Sequence, residues 1–497
     1  MVANHVISDT VTRRLEYSQR LLIDGAWVNS SDGISEEVIN PSDGKILTTF
    51  SVATEDDTNA AIQAARTSFD DCIWTGLTPA ERGKILWKVG DLIDSNAREL
   101  AELEMLDAGK PFGDARNGEV PFAADCFRYY AGWCTKIEGK TTDFSAIPDE
   151  SFHVYSLREP VGVAALIVPW NGPLVMASWK IAPALAAGCS CVVKPATQTP
   201  LSTIRLGELM MDAGVPPGVI NILTGAGSKI GQQLAKHPDV DKISFTGSTS
   251  VGRSIIDAAK GNLKKVTLEL GGKSPVIIFD DADLDQAIPG AANAIFSNAG
   301  QVCVAGSRLY IQENIYDEVI EGLSVFASEL KVGSALNYQT QMGPLISKEH
   351  LESVCSFIET AKLEGAKLVS GGNKISYQGG YFLEPTIFAD VHHKMNIVQE
   401  EVFGPVLVTM SFRSNDDVGL IANDSEYGLA ASIWTKDISK AHKTAAAIRA
   451  GIVWINCHGI PDMSVPFGGY KQSGWGRENG MEALLGYTEL KSVVTKL

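Results

Sequence analysis

The chain has 497 residues, of which 45% are hydrophobic and 20% charged, and a formal net charge of −17. That length exceeds one ordinary core and implies about two to four domains, and the composition excludes a disordered chain. The acidic balance argues against a nucleic-acid surface and for a soluble cytoplasmic protein, and it leaves the substrate open.

Residues 1–20 mix acids, Arg13, Arg14 and polar side chains without the apolar stretch of a signal peptide. Segments 21–25 and 46–50 are predicted short strands around the turn residues 40–44. Thr78-Pro79-Ala80-Glu81 is a capping box that starts an amphipathic helix carrying Ile85, Leu86, Val89, Leu92 and Ile93. Gly109 closes the helical region, and a further helical block covers 122–133. Segments 135–147 and 155–160 are extended and alternate in polarity, as does 488–494. Such strands are predicted to pair across a subunit boundary, a solvent-exposed edge being the alternative. The longest apolar runs, 161–170 and 181–193, fall short of the ~18 residues that span a bilayer, so no membrane partner is expected.

From 161 to 272, strand-like runs (162–168, 189–193, 219–223, 242–245, 266–270) alternate with helical ones (174–187, 202–213, 229–236, 251–259). The alternation implies a parallel α/β sheet, whose ligands bind beyond the carboxyl ends of its strands. A second α/β unit begins at 274–279, includes Cys303, and continues through 308–312, a helix over 316–330, and strands at 406–412 and 452–456.

Several stretches have residue types suited to chemistry. Cys303 ends the polar turn Phe296-Ser297-Asn298-Ala299-Gly300-Gln301-Val302-Cys303, a setting that lowers a thiol pKa and leaves the sulfur reachable, although most free cysteines simply pack. Glu269 interrupts an apolar strand ahead of Gly271 and Gly272, so it is either paired for structure or kept as a base. The turns 245–252 and 225–231 open helices with small residues, which suits a pyrophosphate but equally a tight turn. Lys194 ends another strand and could reach a ribose or phosphate. Asn171, bracketed by Pro169 and Pro173, could donate to an oxyanion. The eight cysteines and eight histidines show no metal-ligand spacing, so no metal is expected.

The stretches FTGSTSVG (245–252), LELGGK (268–273), NAGQVC (298–303), EEVFGPV (400–406) and PFGGYKQSG (466–474) together resemble the NAD(P)-dependent aldehyde dehydrogenase superfamily, from about Leu21 to the C-terminus. The resemblance implies two doubly wound parallel-sheet α/β domains and a β-strand oligomerisation arm. These divide as 1–134 with 161–270 for the dinucleotide, 271–480 for catalysis, and 135–160 with 481–497 for the arm. It implies Cys303 as nucleophile, Asn171 as oxyanion donor, Glu269 as the base for water, and Lys180 and Glu478 as a proton relay. Cofactor contacts are implied at Ile167, Pro169, Trp170, Lys194, Thr197, Gly227, Gly231, Phe245, Thr246, Gly247, Ser248, Val251, Gly252, Leu270, Gly271, Glu401 and Phe403. Substrate contacts are implied at Gly172, Met176, Trp179, Val302, Val304, Pro461 and Phe467, which together keep the tunnel apolar.

Thr197 stands where many NAD-preferring members have a glutamate, which leaves room for NADP beside NAD. Gly172 replaces an aromatic residue at the tunnel mouth and would admit a bulkier aldehyde. Segments 133–141 and 455–458 are most similar to bacterial phenylacetaldehyde dehydrogenases. The resemblance thus implies oxidation of an aromatic aldehyde through a thiohemiacetal and thioester in a dimer or tetramer. The competing readings are a coenzyme-A-acylating dehydrogenase, which would generally lack Glu269, a cofactor-independent cysteine esterase, which would need a histidine base, and a binding protein that has lost the chemistry.

Overall fold

A computed structural model describes residues 5–414 and 416–497; residues 1–4 of the N-terminal segment considered above lie outside the described residues. The apolar runs between 161 and 272 become interior strands because both of their faces are covered. Val163–Ile167 and Ser190–Lys194 are buried at every position. Successive side chains of a strand point to opposite faces. Accordingly Ala164, Leu166 and Val168 enter one core with the helices Pro79–Ser95, Val120–Trp133 and Pro173–Ala187. Val163, Ala165 and Ile167 enter another with the helices Glu55–Asp70 and Thr249–Ala259.

The first sheet runs in the order Ala26–Val28, Leu21–Ile23, Ile220–Ile222, Ser190–Lys194, Val163–Ile167, Lys242–Thr246, Lys265–Glu269, Gly474–Trp475. Its central strands are parallel, while Leu21–Ile23 and Gly474–Trp475 join antiparallel. Gly474–Trp475 comes from the far end of the chain and lies beside Leu268 and Glu269, so residues 271–480 do not all stay with the second sheet. That second sheet orders Lys367–Ser370, Thr386–Ala389, Val406–Phe412, Arg308–Gln312, Pro275–Ile278, Ala430–Trp434 and Ile452–Ile455 around its own core.

Two expectations change, and one pairing is added. The turn at 40–44 joins Ser35–Ile39 to Ile46–Ser51, whereas Leu21–Ile23 leaves to pair with Ala26–Val28 and the large sheet. The acidic start of Ser35–Ile39 had hidden that strand. Residues 135–147 form no strand beyond a single bridge between Thr141 and Tyr155. Finally, Phe152–Pro160 and Thr488–Lys496 pair with each other inside one chain, in antiparallel register from Pro160 opposite Thr488 to Phe152 opposite Lys496. Among the described residues no helix is long and apolar enough to cross a membrane.

The two-stranded arm rests on that one pairing. A chain ending at residue 487 is expected to leave Phe152–Pro160 as a bare edge, to melt at lower temperature and to scatter light on heating. An unaltered melt without scattering would contradict this.

Candidate active site

The helix Leu284–Phe296 stops where Asn298 (φ 49°), Ala299 (φ 53°) and Gly300 (φ 73°) follow one another in the left-handed region. This reversal suits glycine at 300, where a Cβ would come within 2.0 Å of the Gly404 carbonyl oxygen. The Gln301 side chain fastens the loop, donating to the Asn298 carbonyl (3.0 Å) and accepting from the Ile346 amide (2.9 Å). Cys303 follows, half-buried on the wall of a cleft of about 1050 Å³ at the carboxyl ends of the first sheet's strands. Burial pushes its thiol up to about 12, the Glu401 and Glu269 carboxylates add to the rise, and the Val304 and Cys303 amides oppose it. The expected low thiol pKa is therefore corrected: loss of water and two nearby acids outweigh the polar turn.

Asn171 lies on the same wall and donates through Nδ2 to the Gln301 carbonyl at 3.0 Å. An amide nitrogen has a second N–H, which stays available for an oxyanion beside the sulfur. Glu269 also lines the cleft, is 4% exposed, and neither of its carboxyl oxygens has a hydrogen-bond partner. Burial, then the charge of Glu478, raises it well above the carboxylate range, against the pull of Lys180 and Arg477. Lys180 and Glu478 are not on the cleft wall. They form a buried pair at 2.6 Å, and Glu478 also accepts from the Ser244 hydroxyl at 2.9 Å. Their separation from the cleft follows from Lys180 lying inside the fully covered part of its helix.

On the nucleotide side the wall includes Ile167, Pro169, Trp170, Lys194, Thr197, Gly227, Phe245, Thr246, Gly247, Ser248, Val251, Leu270, Gly271, Glu401 and Phe403. Gly231 and Gly252 stand one layer behind it, where their missing side chains allow close packing against Ile167 and Leu270. Ser248 caps the helix Thr249–Ala259 by accepting from the Val251 amide, and this helix start opens onto the cleft. Lys194 is 3% exposed, and burial brings its ammonium down to about 8. A Cβ at Gly227 would lie 3.9 Å from that nitrogen, so the glycine turn and the cation face one another. The buried Thr246 hydroxyl on this wall is without a partner. Helix start, buried cation, glycine turn and orphaned hydroxyl fit a dinucleotide. Glu401 accepts from the Gly272 amide at 2.8 Å and is raised by burial to about 7.

On the opposite side Gly172, Met176, Trp179, Val302, Val304, Pro461 and Phe467 line the wall. A Cβ at Gly172 would meet only Met176, at 3.5 Å, so the mouth is open there. The Trp179 ring stands 6.0 Å from Phe122 and 5.3 Å from Phe467, making an aromatic wall. The tunnel is less apolar than expected, because Glu119 and Asn479 also reach it and the Trp179 indole N–H has no partner.

Two functional-looking histidines had no signal in the sequence, since each is isolated among unrelated residues. His350 lines the cleft and donates to the Phe403 carbonyl at 2.8 Å, fixing a positive-φ residue whose ring meets Trp170 edge-on at 5.2 Å. His458 bonds the Val304 carbonyl (2.9 Å) and the Ser432 hydroxyl (3.1 Å), and burial brings it down to about 4. It is a neutral brace one residue beyond the sulfur. Among the described residues no group of three or more His, Cys, Asp or Glu could hold a metal ion.

A model of the aldehyde dehydrogenase family matches residues 27–493. Betaine aldehyde dehydrogenase of Bacillus subtilis (strain 168) is 47% identical over 479 residues, 96% of this chain and 97% of its own. Phenylacetaldehyde dehydrogenase of Pseudomonas fluorescens is 46% identical over 483 residues, 97% of this chain and 96% of its own. Among solved structures, the NAD+ complex of an aldehyde dehydrogenase from Bacillus cereus superposes with a TM-score of 0.97 at 44% identity, covering all of both chains.

A thiol near 12 reacts only through its small ionised fraction. Alkylation of Cys303 in the free protein by iodoacetamide, followed by peptide mass spectrometry, is expected to accelerate about tenfold per pH unit between 7 and 10. Glu401→Gln removes the strongest neighbouring charge and should speed the reaction at fixed pH. A rate flat above pH 7 would show a thiolate already formed.

Proposed function

The chain belongs to the aldehyde dehydrogenase family, and from that premise we propose that it oxidises an aromatic aldehyde of the phenylacetaldehyde type to its acid. It is an NAD-dependent aldehyde dehydrogenase. The observation that carries the hydrolytic form of the reaction is Glu269, a buried acid without a partner on the same wall as Cys303.

Cys303 Sγ attacks the carbonyl carbon, and the Asn171 amide with the Cys303 backbone N–H holds the oxygen as it gains charge. NAD would be held by Lys194, the start of the helix at Thr249 and Glu401, and would supply the hydride acceptor. Loss of hydride turns the thiohemiacetal into a thioester on Cys303. Glu269 then takes a proton from water, the hydroxide adds to the thioester, and the thiolate leaves with release of the acid. The pair Lys180–Glu478 with Ser244 is suited to carry that proton onward, since Glu478 and Lys180 both act on the charge of Glu269. The absence of a carboxylate at Thr197 leaves NADP as a weaker alternative.

The aromatic wall of Phe122, Trp179 and Phe467 beside the open mouth at Gly172 supports a ring-bearing substrate. Such walls also hold quaternary ammonium groups, which keeps betaine aldehyde as the competing substrate. Cysteine-esterase chemistry lacks support, because His350 and His458 spend their bonds on backbone and Ser432 rather than on the thiol. Assembly into a dimer or tetramer through the two-stranded arm, a cytoplasmic location, and a nucleotide unit built on the first sheet complete the proposal.

Cys303→Ala should abolish NADH formation. Glu269→Gln should give a burst of about one NADH per site followed by turnover ~10²–10⁴-fold slower, as expected for a lost general base. Undiminished steady turnover in this variant would make Glu269 the wrong base. In a panel of phenylacetaldehyde, acetaldehyde and betaine aldehyde with NAD, NADP or added coenzyme A, phenylacetaldehyde with NAD should give the highest kcat/KM and no acyl-CoA. Gly172→Phe should lower that value ~tenfold by crowding the mouth, with acetaldehyde affected less. A preference for betaine aldehyde would overturn the aromatic assignment.

A further inference from the structure

A helix start leaves backbone N–H groups without partners, and a Ser, Thr, Asp or Asn at the N-cap normally supplies an acceptor. Thr54, Thr78, Ser248, Ser347 and Asp437 do this elsewhere in the chain. Several helices do without one, and two of these begin beside the cleft. Pro173–Ala187 starts at Gly172 and Leu201–Ala213 at Pro200, and neither has a side-chain cap of its own.

Their acceptors come from a third helix. Glu104 and Asp107 lie one turn apart on Ala97–Asp107, and both are fully buried. The Leu174 amide donates to Glu104 Oε1 at 2.8 Å, and the Leu201 amide donates to Asp107 Oδ2 at 3.1 Å. The Ser202 hydroxyl also donates to Glu104 Oε1, at 2.9 Å, so Glu104 touches both helices. Lys110 balances the charge, donating to Glu104 Oε2 at 3.3 Å and to Glu119. Thr199 closes the arrangement by donating to the Trp170 carbonyl at 3.2 Å, tying the loop before one helix to the loop before the other.

We propose that Glu104 and Asp107 are positioning residues: Glu104 sets the loop 168–172 that presents the Asn171 amide, and Asp107 sets the loop 195–200 on the nucleotide side. Buried acids are a costly way to cap a helix, and a serine or aspartate at the N-cap would satisfy the same amide. At 172, however, a side chain would enter the cleft mouth, because the space beside Gly172 is open apart from Met176. Capping from behind satisfies the helix start and leaves the cleft face clear. The favourable field of two helix N-termini and the Lys110 ammonium make the burial tolerable. Burial, then the Glu104 charge, raises Asp107 well above the carboxylate range, and asparagine there keeps an acceptor oxygen for the Leu201 amide.

The proposal rests on the aldehyde-oxidising reading of the cleft. Wild-type protein that forms no NADH with phenylacetaldehyde, acetaldehyde or betaine aldehyde would sink that reading, whereas the positioning proposal is decided by how two properties divide between variants. In the full-length enzyme, Glu104→Ala should slow the first-turnover NADH burst at saturating NAD about tenfold, a fraction of the loss on deleting an oxyanion donor, and raise NAD Kd (protein fluorescence) no more than about threefold, since Pro169 and Trp170 share its loop. Asp107→Ala should instead raise NAD Kd about tenfold and leave the burst within about twofold of wild type, since its cap holds the nucleotide-side loop. Should the alanine variants fail to fold, Glu104→Gln and Asp107→Asn decide. Each retains an acceptor oxygen, so Glu104→Gln should slow the burst only about threefold, through loss of a charge-assisted bond, and Asp107→Asn should restore NAD Kd to about the wild-type value. Parallel loss of burst and NAD affinity in both positions, or lowered melting temperatures with both properties intact, would overturn the proposal.

Discussion

A carboxyl group taken out of water with no hydrogen bond is costly, and the centre of this protein is arranged around that cost at Glu269. The covering is made largely of backbone that only glycine permits. Gly474 pairs with Glu269 at the sheet edge, and a Cβ there would come within 2.0 Å of the Leu268 carbonyl. A Cβ at Gly468 would come within 2.7 Å of Glu269 Oε1. On the other side, a Cβ at Gly271 would lie 2.1 Å from Glu401. Gly271, Gly468 and Gly474 therefore let main chain pack closely around the two acids, while Gly272 and Gly469 admit the Cys303 carbonyl and Ser473.

Rigidity around the sulfur comes from hydrogen bonds that avoid it. Gln301 ties its loop to Asn298 and Ile346, Asn171 holds the Gln301 carbonyl, and His458 holds the carbonyl of Val304. The bonds terminate on backbone immediately before and after Cys303. A reactive atom is thus fixed without being partnered, which preorganises it at the cost of three left-handed residues nearby.

Much of this was legible because it is written in local patterns. Apolar runs and strand–helix alternation gave the first sheet, and glycine-rich stretches of unusual spacing gave the cleft walls. Glu269 stood out as a charge in an apolar strand, and Cys303 as a thiol at the end of a polar turn. What stayed hidden depends on residues distant in sequence. Gly474–Trp475 reaches the first sheet across some two hundred positions, and nothing local in Gly-Trp announces a strand. Glu104 and Asp107 read as ordinary positions of an amphipathic helix, since their partners Leu174 and Leu201 lie 70 and 94 residues away. The thiol pKa was misjudged for the same reason: the turn is visible locally, whereas the burial and the two acids that oppose ionisation come from distant parts of the chain.

That misjudgement leads to the last step. Glu401 and Glu269 both raise the resistance of Cys303 to ionising, so in the free protein a thiolate beside an ionised Glu269 costs more than either charge alone. The thiol can become nucleophilic when its proton passes to a neighbouring acid that is itself reluctant to be charged. Once the sulfur carries an acyl group it holds no charge, and an ionised Glu269 no longer stands beside a thiolate. Its proton can then leave, with Lys180 favouring the anion and Glu478 opposing it. In the proposed cycle the proton on Glu269 and the charge on Cys303 would therefore alternate, the acid being neutral beside a thiolate and free to ionise beside a thioester.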